Sequence, residues 1–326
     1  MSAPRQPDEA MNRAMRLCWW QIGWFVTVVA VMGVVMGQSQ TMKTAWIEDM
    51  LGFVPPIAFL VAARMERRPR SARFPFGFAR ANGLGFFVSA VALTAVGALL
   101  LVNALMTLAM AEHATVGSMR LFGHDVWLGW LMLAAQGYAL IPPLVIGTKL
   151  LPLARTLNDK LLHTNAMMNK ANWLTGAAGI AGVVGLGLGW WWADAVAAGL
   201  ISIDIINDGW KALRSSAAEL IDGAPRALDK PEVSPDARTL HATLDGRFPG
   251  ATILMRETGR LIHVEIHGVD APDPVPAREE LWPCGGDSAW RLAQVTFTDR
   301  PLERDRYQEL FSPGERQAPR QHRPGR

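Results

Sequence analysis

The stretch AMMNKANWLTGAAGIAGVVGLGLGWWWADAVAAGLISIDIINDGW, residues 166–210, decides the fold. Two apolar runs, 166–188 and 190–210, flank a Gly-Trp-Trp-Trp connection at 189–192. A helix needs about 20 apolar residues, each rising 1.5 Å, to cross roughly 30 Å of hydrocarbon. Both runs meet that, and the tryptophans suit the headgroup level at which the chain turns back. Working outward, runs of the same kind occur at 18–37, 44–63, 83–110 and 126–148. The reading is an α-helical membrane protein with six transmembrane helices.

Composition agrees with this reading. Of 326 residues, 50% are hydrophobic and 19% charged, whereas an average soluble domain is about 25% charged. The expected organisation is a cytoplasmic N-terminal segment (1–17), a transmembrane domain (18–224), a small cytoplasmic α+β domain (225–311) and a disordered tail (312–326). In the α+β domain, a helix over 237–248 precedes strands at 251–256 and 260–269, a helix around 288–293 and a strand at 294–299. The polar N-terminal lead is not followed by a small-residue cleavage site, so the first run is expected to be retained. The two cysteines, Cys18 and Cys284, exclude a disulfide framework. A net charge of +3 gives no surface for nucleic acid. No nucleophile elbow, Walker loop or HExxH motif is present, so the chain is not expected to be an enzyme.

Orientation follows from the loops. Arg64, Arg67, Arg68, Arg70, Arg73 and Arg80 crowd the connection between spans two and three, and Lys149, Arg155 and Lys160 lie between spans four and five. The opposite loops carry little beyond Lys43 and Arg120, which places both termini in the cytoplasm. Arginine outnumbers lysine 26 to 6; this composition fits a GC-rich bacterial coding sequence and hence the inner membrane.

Charged and amide side chains inside spans are expensive, so a function is the default hypothesis for them. Span two carries Glu48 and Asp49; about 100° of helix rotation separates them, so one of the two faces any shared cavity. In span five, Asn165, Met168, Asn169 and Asn172 fall at i, i+3, i+4 and i+7 and share a face. Lys170 points away from that face and is placed to neutralise Asp208 or Glu48. In span six, Asp204, Asn207 and Asp208 make a similar patch. Carboxylate and amide oxygens suit a hard divalent cation, with a methionine sulfur as a softer ligand. The six glycines between Gly176 and Gly189 offer a narrow surface for close helix packing.

The segment RFPFGFARANGL (73–84) and the run GWWWADAVAAGLISIDIINDGWKALRSSAAELIDGAP (189–225), together with the six spans and the small C-terminal domain, resemble the cation diffusion facilitator family of divalent-metal/proton antiporters. The resemblance implies a metal site between spans two and five, at positions matched here by Glu48, Gly52, Met168 and Asn172. The acid that usually precedes the fifth-span pair by three residues corresponds to Asn165. Glycine-histidine and a glutamate in the family's loop motif become Gly77-Phe78 and Asn82. It also implies a metallochaperone-like cytoplasmic domain through which members dimerise and sense metal. On the strand RLIHVEIHGV, His263, Glu265 and His267 project together, about 6.6 Å between neighbours, which is close enough to share a metal.

Two functions follow. One is a secondary transporter, a homodimer exporting a divalent cation in exchange for protons, with Glu48, Asp49, Asn165, Met168, Asn172, Asp204 and Asp208 as its metal-site residues and the cation as substrate rather than cofactor. The other is a transport-inactive member acting as a metal sensor or as the partner subunit of a heterodimer.

Overall fold

The computed structural model describes residues 8–35, 49–110, 118–121, 124–187, 190, 192–230, 232–283, 286–303 and 311. It divides into two compact units. Within the described residues, the helical unit runs to Ile221 and includes Thr258–Arg260; the second holds Asp222–Glu257 and Leu261 onward.

The helical unit begins with α1 (Asp8–Val35), so the first helix starts ten residues before the apolar run expected at 18. Its buried positions, Met11, Ala14, Cys18, Gln21, Phe25 and Val28, recur every three or four residues and draw the polar lead into the same stripe. Next come α2 (Val54–Glu66) and α3 (Arg80–Ala109). A two-stranded antiparallel ribbon of β1 (Ser118–Leu121) and β2 (His124–Trp127) follows. This ribbon occupies the start of the run expected from 126, so α4 spans Leu128–Leu157. Then come α5 (Lys160–Gly187) and α6 (Ala193–Leu220).

The run expected as span two is not one continuous helix. Asp49–Leu51 is helical, Gly52 and Phe53 form a turn, and α2 starts at Val54. Pro55 and Pro56 sit in the first turn of α2; having no N–H, they cannot bond back to Leu51 and Gly52. The last ladder bonds before the break are instead the short Gly52 N–H to Asp49 C=O (3.1 Å) and Phe53 N–H to Met50 C=O (3.2 Å).

Three helical stretches among the described residues are long and apolar enough to cross a membrane: 8–31, 80–109 and 137–157. The helix α6 has the length but carries Asp204, Asp208, Lys211, Arg214 and Glu219, which dilute its hydropathy.

Two close backbone approaches at glycines in this unit lie between α3 and α6. A Cβ on Gly97 would stand 3.0 Å from the Ile206 nitrogen, and one on Gly209 2.9 Å from the Thr94 nitrogen. Of the fifth-span glycines expected to pack closely, Gly176 meets Leu140 at an ordinary 3.5 Å. Ala92, Leu93, Val96 and Leu100 of α3 pack with Met168 and Ala171 of α5 and Ile205 of α6.

The second unit contains α7 (Pro235–Arg247), whose first turn is capped by the Ser234 hydroxyl accepting from Ala237 N–H at 3.2 Å, with Pro235 just inside. Strands β3 (Thr252–Thr258), β4 (Leu261–His267) and β5 (Leu292–Thr298) form a sheet in the order β3-β4-β5, with β4 and β5 parallel. The crossover between the parallel strands holds the short α8 (Arg278–Leu281) and a 3-10 turn at Gly286–Arg291. The helix expected around 288–293 is therefore a 3-10 turn that ends at Arg291, where Leu292 enters the sheet core. Leu240, Leu244, Ile253, Ile262, Val264, Ile266 and Leu292 fill the core between sheet and helix.

Candidate metal centre

The break in span two sets the site. A Cβ on Gly52 would lie 3.1 Å from the Phe25 ring and 3.4 Å from Asn172 Nδ2. Two of the four positions matched to the family's site, Gly52 and Asn172, therefore face each other where the break meets α5. The Asn172 Nδ2 is buried and has no hydrogen-bond partner among the described residues. Asp49, one turn before Gly52, belongs to the same segment; Glu48 lies outside the described residues.

The amide face of α5 divides among its neighbours. Asn165 and Asn172 lie almost in line, while helical rotation carries Met168 about 60° to one side and Asn169 about 40° to the other. Asn165 is fully buried and exchanges paired amide hydrogen bonds with Gln21 of α1, at 3.0 and 2.9 Å. Its Nδ2 also lies 3.6 Å from the Cys18 sulfur. Asn169 donates to the Asn165 carbonyl at 2.8 Å and packs beside Gly147 of α4. Met168 is fully buried in the apolar cluster with α3 and α6. Asn172 lies against Gly52 of the second run, and Leu51 and Val54 of that run pack against the cluster that holds Met168.

The carboxylates of α6 do not join them. The stripe Ser202, Ile205 and Gly209 is buried, and Ile205 and Gly209 pack against α3; Asp204, a residue away from Ile205, is turned outward. Its carboxylate pairs with Lys170 at 3.7 Å, with side-chain exposures of 58% and 45%. Asp208 pairs instead with Lys211, three residues on, at 3.6 Å. The expectation that Lys170 neutralises Asp208 or Glu48 is thus corrected for Asp208: Lys170 leaves α5 on the side facing α6 at the level of Asp204. Among the described residues, no three His, Cys, Asp or Glu side chains converge as a metal cluster.

Sequence reasoning missed a buried charge network in the helical unit. The Arg260 guanidinium, 1% exposed, pairs with Glu66 at the end of α2 and lies 3.5 Å from Asp159, which is itself 0% exposed. Asp159 accepts from Leu162 N–H at 2.8 Å, capping α5, and from Asn82 Nδ2 at 3.0 Å. Lys160 and Glu219 pair at 3.8 Å, and Glu219 accepts from Gly259 N–H at 2.9 Å. Burial raises the Glu66 carboxyl to about 7; Arg260 pulls it down and Asp159 adds to the rise. The only sequence signal was a set of charges at helix ends, which ordinarily face water.

In the second unit, β4 alternates as expected: Ile262, Val264 and Ile266 are buried, and His263, Glu265 and His267 share the other face. Glu265 and His267 lie 3.5 Å apart. His263 and Glu265 line an open cavity of about 420 Å³ with Asp222, Arg256 and Phe311.

The model of the cation efflux transmembrane domain matches residues 22–221. The chain belongs to the cation efflux, or cation diffusion facilitator, family. This facilitator is 25% identical over 255 residues to the zinc transporter ZitB of Escherichia coli strain K12, covering 72% of this chain and 73% of that protein. The match to ZitB of Shigella flexneri has the same identity and extent. Membership makes it a membrane cation-efflux protein rather than an enzyme.

Proposed function

We propose that the protein exports a divalent metal cation from the cytoplasm in exchange for protons, as a homodimer with six spans per subunit. Both termini face the cytoplasm, and the host membrane is the bacterial inner membrane. Residues to about 224 form the transport domain; the α+β domain that follows reads cytoplasmic metal. The observation that carries this reading is the juxtaposition of the Asp49–Gly52 segment with Asn172. It brings together the elements that hold metal in the family, around a buried amide nitrogen with no partner among the described residues.

In this reading Asp49, Glu48 and Asn172 hold the cation. The broken second span contributes the Leu51 and Gly52 carbonyls, freed because Pro55 and Pro56 offer no N–H. Oxygen ligands of this kind suit a hard divalent ion, and carboxylates that bind either metal or protons supply the exchange. Asp204 and Asp208 serve as proton carriers, each paired with a lysine. Zinc heads the candidates, because the relatives are named zinc transporters. His263, Glu265 and His267 form the cytoplasmic metal site.

The test is metal-driven proton flux in proteoliposomes, across Zn, Mn, Fe, Co, Ni, Cd and Mg, with an internal pH dye. A wild-type response abolished by Asp49→Asn supports the site, and flux unchanged in that variant overturns it. Unchanged flux in Asp204→Asn and Asp208→Asn removes those two acids from the mechanism. Unchanged metal titrations of the protein after His263→Ala with His267→Ala remove the cytoplasmic site.

A second reading, a transport-inactive sensor or heterodimer partner, is favoured by Gly52 and Asn172 themselves, which replace ionisable ligands with uncharged positions. Silence across the whole panel from inserted, folded wild type, with transport gained in Asn172→Asp, selects it.

A further inference from the structure

The connection between α2 and α3 is built as a shaped surface. From Arg67 to Met110 the chain carries no acidic residue, while Arg67, Arg68, Arg70, Arg73 and Arg80 fall within fourteen positions and Arg64 lies just before them. Residues 67–76 are all exposed. The segment is nonetheless folded: Ser71 and Phe74 exchange backbone hydrogen bonds at 3.3 and 3.0 Å, and the Ser71 hydroxyl accepts from Phe74 N–H at 3.2 Å. The chain then bends through Gly77 at φ +80°, a conformation that favours glycine. Phe74 packs on Phe78 with ring centroids 4.8 Å apart, and the Arg73 guanidinium lies 5.9 Å from the Phe74 ring. At the tip, Phe76 is 90% exposed.

Two arginines are anchored: Arg67 donates to Asn12 Oδ1 at 3.1 Å and Arg80 to the Leu220 carbonyl at 3.2 Å. Arg64, Arg68, Arg70 and Arg73 have no carboxylate partner among the described residues. The Arg67 anchor also fixes depth. At 1.5 Å per residue, the exposed Trp19 and Trp20 lie about 10–12 Å further along α1 than Asn12. Exposed tryptophans favour the membrane interface, so the loop lies on its polar side, where phosphates concentrate. An unpaired cationic surface with an exposed aromatic tip at that depth complements an anionic headgroup layer.

We propose that residues 64–78 bind anionic phospholipid headgroups, with Arg68, Arg70 and Arg73 on the phosphates and the exposed Phe76 among the headgroups. The test uses the full chain in detergent micelles doped with phosphatidylglycerol or phosphatidylcholine, with lipid retention read by native mass spectrometry. Replacing Arg68, Arg70 and Arg73 together by Gln is expected to weaken phosphatidylglycerol retention on the order of a hundredfold at low ionic strength, leaving phosphatidylcholine unchanged. The matching triple Lys replacement, which keeps the charge, retains most of the preference, and Phe76→Ser reduces retention of both lipids. Undiminished phosphatidylglycerol retention in the Gln variant overturns the proposal. Displacement of the lipid by millimolar inorganic phosphate also overturns it, since the surface would then be a free-phosphate site.

Discussion

Arg260→Met is the most revealing perturbation of the helical unit. The guanidinium is 1% exposed and faces two carboxylates, Glu66 and Asp159, the second wholly buried. Removing the cation leaves those carboxylates side by side with no counter-charge, and breaking a buried pair in this way costs about 3–5 kcal/mol. Asp159→Asn keeps an acceptor for the Leu162 N–H and leaves Arg260 paired with Glu66, so its cost is smaller, about 1.5–3 kcal/mol. The two changes share one interaction, and the double variant is expected to lose about 1–3 kcal/mol less than the sum of the singles. Glu66 adds a pH dependence. Its carboxyl already stands at about 7, and loss of Arg260 removes the influence that lowers it. The folded variant then holds a proton that the unfolded chain has released, so its stability falls as pH rises from about 4.5 through 7. The assay is unfolding of the purified full-length protein in mixed micelles with increasing SDS, followed by tryptophan fluorescence at pH 6 and 8. Additivity within about 0.5 kcal/mol, or an Arg260→Met loss below about 1 kcal/mol, would refute the network.

The same assay checks the packing. Gly209→Val presses a Cβ onto the Thr94 backbone nitrogen at 2.9 Å and is expected to destabilise by about 1–3 kcal/mol or more, whereas Gly176→Ala, in ordinary contact with Leu140, is expected to be nearly neutral. Asn165→Leu strands the buried Gln21 amide at a cost of about 1–3 kcal/mol, and adding Gln21→Leu restores most of it. Lys170→Met changes detergent stability by less than about 1 kcal/mol, because its pair with Asp204 is half exposed. Asn172→Asp is expected to raise divalent-metal affinity, measured by calorimetry on the full chain; unchanged affinity would place the cation away from Gly52.

Periodicity and composition were enough for the class of the protein. Long apolar runs, a shift in composition near residue 225, and period-two alternation over 261–267 come from side-chain chemistry repeated along the chain, which a sequence displays directly. The correct face of β4, with Ile262, Val264 and Ile266 inward, follows from pleat geometry alone. The sequence also determined that Asn165 and Asn172 share a helical line.

Which neighbour each side chain meets was decided by tertiary structure. Helical spacing placed Asn165, Met168, Asn169 and Asn172 on one face, but a face about 100° wide touches several helices. Packing therefore gave Asn165 to Gln21, Met168 to an apolar cluster, and Asn172 to Gly52. Asp204 and Asp208 looked like a midspan ligand patch, yet the close approach of Gly97 and Gly209 turns the small-residue stripe of α6 onto α3 and rotates both acids outward to lysines. The sequence reads as one run over 44–63, and the break at Gly52 and its position against Asn172 came from the structure. Least legible was Arg260, one arginine among 26. Its burial depends on three partners drawn from residues 66, 159 and 11, a convergence of distant chain positions that no local pattern encodes.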